Sequence, residues 1–172
     1  MKAADGFDTA TAFADLVQNI QGGNCRSMIM AKSLDFICHW TASDIANWSK
    51  LCRSMSTKDV SHDRKQVETD FLREALAVAN RATQLTMNYT LTPIQILSAW
   101  LPFIKDAKKK EGLLLQIGTG MGKSTIIAVT ATILSMLGIK ADIYTSSPVL
   151  AERDAKEWTS FYSLFGLTCD HN

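Results

Sequence analysis

One glycine-rich stretch, LLLQIGTGMGKST at residues 113–125, carries the residue types that nucleotide chemistry needs. Binding a triphosphate takes converging backbone N–H groups, the positive end of a helix, a cation for the terminal phosphates and a hydroxyl group for the metal ion. The glycines let the backbone approach an anion because they carry no Cβ. Lys123 supplies the cation, and Ser124 supplies a hydroxyl for Mg²⁺. The candidate ATP-binding residues are Gly118, Thr119, Gly120, Met121, Gly122, Lys123, Ser124 and Thr125.

The stretch departs from the strict pattern G-x-x-x-x-G-K-[ST], because Ile117 stands where that pattern has its first glycine. Ile117 ends an apolar run, and the cradle does not need a glycine there. The helicase-like branch of P-loop proteins uses a shorter form that ends T-G-x-G-K-[ST], and residues 119–124 fit it. We therefore predict a phosphate loop with Lys123 as its catalytic cation and Ser124 as its metal ligand. A glycine-rich connection with an incidental lysine stays the alternative.

The stretches around this loop predict alternating strands and helices. LLLQI (113–117) is short and continuously apolar, as in a strand covered on both faces. A largely apolar helix is predicted over 123–137, with Gly138 ending it, and ADIYTSS (141–147) then gives a second strand.

Another helix is predicted to begin at Ser147 and Pro148 and to close at Gly166, after which LTCDHN (167–172) begins a third strand. The order strand, loop, helix, strand, helix predicts an α/β fold. Specifically, we predict a partial P-loop lobe of the RecA-like, helicase type, with a parallel sheet, over residues 70–172. An all-helical N-terminal region is predicted over residues 1–69.

Helix starts are well marked before the loop. In WTASDI, Thr41 is predicted as the N-cap with Asp44 at the third helical position, and Trp40 is predicted to pack against Ile45. A longer helix is predicted over 62–86. Its predicted core face holds Val67, Phe71, Ala75, Val78, Ala82 and Leu85.

Composition sets limits on the partners. A net charge of +1 gives no general attraction to nucleic acid or to an anionic membrane, so no nucleic acid is expected. The basic run Lys108, Lys109 and Lys110 is interpreted as a solvated turn. The four cysteines show no metal-ligand spacing, and the four tryptophans are predicted to fill core or interdomain space. With no signal-peptide pattern at its beginning, the sequence is interpreted as cytoplasmic.

From about Asp70 onward the sequence resembles the first nucleotide-binding lobe of SecA-type preprotein translocase ATPases, with a divergent SecA-like member as a further possibility. The segments that carry the resemblance occur in the family's order. They are REALAVANRA (73–82), LTPIQ (91–95), IGTGMGKST (117–125), TSSPVLAERDA (145–155) and FYSLFGLTC (161–169). The run LAERDA is the most discriminating, because nucleic-acid helicases usually show a different sequence there.

The resemblance implies a role for residues that spacing alone does not assign. It implies that Gln95 reads adenine, that the cofactors are ATP and Mg²⁺, and that the partners are an unfolded polypeptide and a membrane translocation channel, with peripheral contact at the membrane. Gln95 has a second interpretation, because it follows Thr92 by three residues and so fits a capping box. Arg153 and Asp154 are candidates of either kind, functional residues or ordinary helix-surface charges. For the second kind, Glu152 with Lys156 and Arg153 with Glu157 are predicted to pair, each four residues apart along the helix.

Hydrolysis of ATP requires residues beyond those of the loop. A second carboxylate must help to hold the metal, and the usual apolar strand ending in Asp-Glu does not follow the loop in this sequence. We therefore expect an ATP-binding N-terminal part of a SecA-like motor that needs downstream parts and is inactive alone. The alternatives are a fragment of a nucleic-acid helicase or translocase and a non-catalytic nucleotide-sensing adaptor.

Overall fold

Six α-helices and one short 3₁₀-helix account for the regular structure in a computed structural model that describes residues 9–30, 36–55, 64–104 and 112–171. The helices are α1 (Thr9–Gln21), α2 (Ala42–Met55), α3 (Arg64–Met87), α4 (Pro93–Ile104), α5 (Lys123–Met136) and α6 (Pro148–Leu164), and the 3₁₀-helix is Ile37–His39. Each of the other helices packs against α3. Helix α3 therefore forms the centre of a single hydrophobic core.

The predicted starts of α2 and α6 are confirmed, and side chains explain them. Asp44 accepts hydrogen bonds from the backbone N–H of Thr41 at 2.8 Å and from its hydroxyl group at 2.7 Å, while Thr41 Oγ1 accepts from the Asp44 N–H at 3.4 Å. This reciprocal pair is a capping box, and Trp40 and Ile45 beside it are buried as predicted. The Ser147 hydroxyl caps α6 by accepting from the Leu150 N–H at 3.3 Å.

The four tryptophans are buried, which confirms their assignment to the core. Trp48 stacks on Phe71 from α3 with the two rings 9° from parallel, and it meets Phe165 beyond α6 edge-on. The predicted core face of α3 is correct at Ala75, Val78 and Ala82. Leu85 is instead 42% exposed, because α3 reaches the surface there, and the side chain of Val67 lies outside the described residues.

A buried carboxylate joins the N-terminal segments to α3. Glu74 is 3% exposed and accepts hydrogen bonds from Trp48 Nε1 at 2.7 Å, from the Met28 N–H at 2.8 Å and from the Ser27 hydroxyl group. The Ile29 N–H adds a longer contact at 3.4 Å. Several donors thus compensate the loss of water around a buried charge. Sequence reasoning gave Glu74 no role, because these donors come from separate parts of the sequence.

The predicted parallel sheet is wrong for the described part of the chain, where no strand forms and the β-type pairing recorded is one isolated bridge between Arg26 and Phe36. Residues 113–117 and 141–147 have no regular secondary structure. Their apolar side chains stay largely in solvent, with Leu114 95% and Tyr144 93% exposed. A helix completes its hydrogen bonds within its own segment, whereas a strand needs a neighbouring backbone. Neither segment finds such a neighbour among the described residues.

The basic run Lys108–Lys110 lies outside the described residues. Of the helices in the described ranges, none combines the length and the apolar character that crossing a bilayer requires.

Candidate functional site

The glycine-rich loop turns sharply into the start of α5. Gly120 has a φ of 82° and Gly122 a φ of 74°, both in the left-handed region that side chains with a Cβ rarely adopt. Gly122 is the N-cap of α5, so Lys123 is the first residue of the helix, as predicted. A Cβ added to Gly122 would overlap the amide nitrogen of Gln95. The conformation at position 122 therefore favours glycine, and a Cβ there would also force the Gln95 side chain to move.

The amides of this loop are available to an acceptor that the protein does not supply. Within the described ranges, no backbone N–H of residues 118–122 donates to a backbone carbonyl. The first helical bond of α5 runs from the Ile126 N–H to the Gly122 carbonyl at 3.2 Å, so the N–H groups of residues 123–125 have no acceptor inside the helix. Together with the positive end of the helix dipole, these donors fit a polyphosphate.

The ammonium group of Lys123 lies at the loop rather than away from it. Its Nζ donates to the Gly118 carbonyl at 2.9 Å, so the side chain reaches from the start of α5 back to the beginning of the loop. Lys123 is exposed, and Ser124 beside it is half-buried. A phosphate oxygen would replace the Gly118 carbonyl as the partner of the ammonium group. The ammonium group therefore lies at the loop, where the sequence predicts the phosphates to bind.

Gln95 forms the capping box that was one of its two interpretations. Its Oε1 accepts from the Thr92 N–H at 2.9 Å, and Thr92 Oγ1 accepts from the Gln95 N–H at 3.4 Å. The other end of the amide group reaches the loop, because Nε2 donates to the Met121 carbonyl at 3.2 Å. Gln95 is 7% exposed. It thus connects the start of α4 to the phosphate loop.

A second contact to the loop was missed by sequence reasoning. Tyr89 Oη and Thr125 Oγ1 lie 2.7 Å apart, at hydrogen-bonding distance. Thr125 was singled out as a loop residue, but no spacing rule pairs it with a tyrosine in the connection between α3 and α4. The connection bends at Asn88, which has a φ of 59°.

Arg153 and Asp154 are not brought to the loop by any hydrogen bond or ion pair between described residues. They pair with each other, with Arg153 Nη2 and Asp154 Oδ1 2.6 Å apart on the surface of α6. The predicted pair of Glu152 and Lys156 is confirmed at 2.5 Å. The predicted pairing of Arg153 with Glu157 does not form, because the adjacent Asp154 takes the guanidinium group. These contacts support the interpretation as helix-surface charges.

A protein-only metal cage is not part of the site. In the described portion of the chain, no group of three or more histidine, cysteine, aspartate or glutamate residues is placed to hold a metal ion. Mg²⁺ usually binds through few protein ligands together with substrate phosphates. Ser124, the second residue of α5, offers the hydroxyl group that such an ion would use.

Comparison with known proteins identifies the family of the chain. The family model described as the SecA DEAD-like domain matches residues 34–172, so the chain belongs to the SecA DEAD-like domain family. The resemblance to SecA-type proteins that was inferred from the sequence is thereby confirmed. The match begins at residue 34, well before Asp70, where the resemblance inferred from the sequence begins.

Two curated relatives give the same assignment at low identity. Over 94 residues the chain is 26% identical to protein translocase subunit SecA 2 from Bordetella avium (strain 197N). This aligned region covers 55% of this chain and 13% of that protein. Over 106 residues the chain is 26% identical to the chloroplastic protein translocase subunit SecA from Ostreococcus lucimarinus (strain CCE9901), covering 62% of this chain and 11% of that protein. No solved structure matches. The chain thus spans a small part of the length of these relatives.

Proposed function

We propose that this chain binds ATP with Mg²⁺ at residues 118–125 and serves as the ATP-binding part of a SecA-like ATPase that moves polypeptides. The observation that carries the proposal is the left-handed turn at Gly120 and Gly122, which leads directly into α5 while the Lys123 ammonium group lies over the loop. Family membership supports the same function.

Each part of the loop takes one task in this proposal. The free amides of the loop and of the first turn of α5 bind the phosphate oxygens. Lys123 neutralises charge on the terminal phosphates and stabilises the charge that shifts during phosphoryl transfer. The Ser124 hydroxyl group would hold Mg²⁺, and the ion would supply further compensation for the phosphate charge.

The wider setting is proposed by relationship. Both relatives are named as protein translocase subunits. We therefore propose an unfolded polypeptide as substrate, a membrane translocation channel as partner, and a cytoplasmic location with peripheral contact at the membrane. Nucleic acid is not expected as a partner, since the net charge of +1 supplies little attraction for phosphate backbones.

Replacement of Lys123 by alanine tests the nucleotide site. A ligand at about one hundred times its Kd stabilises a protein by about 2.7 kcal/mol, which for this size raises the melting temperature by about 5 to 10 °C. We expect Mg²⁺-ATP to produce such a shift in the wild-type chain and to produce none in Lys123→Ala. The measurement is thermal unfolding with and without nucleotide.

The matched control is Lys140→Ala, which removes another exposed lysine in the connection after α5. It should keep the wild-type shift. Without nucleotide, the free energy of unfolding of each variant should lie within about 0.5 kcal/mol of the wild-type value, because both side chains are exposed. An undiminished ATP shift in Lys123→Ala would refute the site assignment.

A further inference from the structure

The connection between α3 and α4 reaches the nucleotide site through one side chain. Tyr89 is 38% exposed, and its hydroxyl group lies 2.7 Å from the hydroxyl group of Thr125. Thr125 is 5% exposed and is the third residue of α5, directly after Lys123 and Ser124. A side chain outside the loop thus contacts the turn of helix that follows the phosphate-binding residues.

The hydroxyl group of Thr125 is used differently from those of several other helical threonines among the described residues. Thr130 and Thr159 donate to the backbone carbonyl four residues earlier, each at 2.8 Å. The corresponding carbonyl for Thr125 is that of Met121, which accepts from Gln95 Nε2 instead. The Thr125 hydroxyl group lies at hydrogen-bonding distance from Tyr89 Oη, a partner from another part of the chain. A β-branched side chain has few rotamers in a helix, so holding its hydroxyl group also limits the rotation of the helical turn.

Two contacts converge on one glycine. An ideal Cβ on Gly122 would overlap Gln95 Nε2 and would lie 3.4 Å from Thr125 Oγ1. Gln95 holds the loop through the Met121 carbonyl, and Tyr89 holds the helix through Thr125. The start of α5 is consequently held in two places, through the loop before Gly122 and through the helical turn after it.

We propose that Tyr89 is a positioning residue for nucleotide binding, which it assists through Thr125 without touching the nucleotide. By holding the Thr125 hydroxyl group, it fixes the direction of the free amides at the start of α5 and the positions of Lys123 and Ser124. This inference rests on the proposed function, because its effect is measured as affinity for Mg²⁺-ATP. Pre-ordering of this turn lowers the cost of forming the site when the nucleotide binds.

The test compares variants that remove a hydroxyl group with variants that keep it. In the full 172-residue chain, Tyr89→Phe and Thr125→Val should each weaken Mg²⁺-ATP binding by about threefold to tenfold, the effect of one hydrogen bond of ordinary net strength. The double variant should bind about as weakly as either single variant, because both changes remove the same bond. Thr125→Ser keeps the hydroxyl group and should bind Mg²⁺-ATP more tightly than Thr125→Val. Calorimetric titration with Mg²⁺-ATP measures all four.

Tyr144→Phe is the matched control, because Tyr144 is 93% exposed and contacts neither the loop nor α5 through a hydrogen bond within the described residues. It should bind like the wild type. Hydrogen exchange at the Ile126 amide supplies a second measurement that needs no nucleotide. Exchange there should be faster in Tyr89→Phe than in Tyr144→Phe.

The outcomes separate the two proposals. If the wild type binds Mg²⁺-ATP and both Tyr89→Phe and Thr125→Val bind equally well, the positioning role is overturned while the proposed function stands. If Thr125→Ser loses as much affinity as Thr125→Val, the hydroxyl group is not what matters and the role is likewise overturned. If the wild type shows no binding, the proposed function fails and the inference fails with it.

Discussion

Gln95 is the residue at which the two interpretations of the site meet. Its amide group already makes one acceptor contact with the Thr92 N–H and one donor contact with the Met121 carbonyl. A glutamine amide group has two N–H donors and an oxygen with two lone pairs. One donor and one acceptor position therefore remain, which is what bidentate recognition of adenine through N6 and N7 requires. Capping and adenine recognition are thus compatible in one side chain, and adenine recognition stays a prediction.

Replacement of Gln95 by alanine is expected to lower the preference for ATP over GTP by about tenfold, the effect of losing a base-specific contact of about 1.4 kcal/mol. Competition between the two nucleotides for the wild-type and variant chains measures this preference. Gln116→Ala, which changes an exposed glutamine before the loop, is the control. A variant that loses stability yet keeps the wild-type preference would indicate that Gln95 serves only as the cap and as the loop contact.

At the scale of elements, the starts of the helices are fixed by local side-chain chemistry. The box at Thr41 and Asp44 requires only residues three positions apart, so the sequence predicts it without knowledge of the core. The hydrogen bonds from the Thr41 hydroxyl group and backbone lower the pKa of Asp44. Because the folded state lowers this pKa relative to the unfolded chain, the contribution of Asp44 to stability is present above its unfolded pKa. It is lost as the pH falls through the folded pKa.

Asp44→Ala is therefore expected to reduce the free energy of unfolding by about 1 kcal/mol at pH 7, and by less at pH 3. Urea unfolding of the variant and the wild type at the two pH values measures this difference. Asp44→Asn serves as the comparison, since it keeps an acceptor but has no charge to lose, and its deficit should change less with pH. An Asp44→Ala deficit that is the same at pH 7 and pH 3 would contradict the assigned role of the charge.

Strand elements follow a different rule. The segments at 113–117 and 141–147 have the apolar composition of buried strands, but they pair with nothing in the described ranges and leave Leu114 and Tyr144 in solvent. A strand is stable only as part of a ladder, so its composition predicts a tendency rather than a structure. The glycine-rich loop between them has contacts to the helices, since Gln95 donates to the Met121 carbonyl and Tyr89 contacts Thr125 in the first turn of α5.

At the scale of the whole molecule, the helices form a support for one loop. Helix α3 contacts α1, α2, α4, α5 and α6, and the connection that leaves α3 brings Tyr89 to the site. The chain belongs to the SecA DEAD-like domain family and spans 13% and 11% of the lengths of the two curated relatives compared above. Binding of ATP and hydrolysis of ATP require different sets of residues.

The 172-residue chain is expected to bind Mg²⁺-ATP without steady-state hydrolysis. Phosphoryl transfer needs a residue that orients the water molecule and a further carboxylate at the metal. Among the residues with described positions, no carboxylate forms a hydrogen bond or an ion pair with Lys123 or Ser124. Release of inorganic phosphate over time measures turnover, with Lys123→Ala as the blank. Phosphate release by the wild type that clearly exceeds this blank would contradict the expectation.

The sequence by itself determined the features that depend on neighbours along the chain. These are the capped starts of α2, α4 and α6, the glycine turn before Lys123, and the buried tryptophans, all of which follow from local hydrogen bonding, backbone freedom and hydrophobicity. Short segments such as LTPIQ and LAERDA also indicated the family. Only the tertiary structure decided which distant groups meet. The contacts of Glu74 with Trp48 and of Tyr89 with Thr125, and the lack of strand pairing at 113–117, depend on how separate segments pack, and no spacing along the sequence encodes that directly.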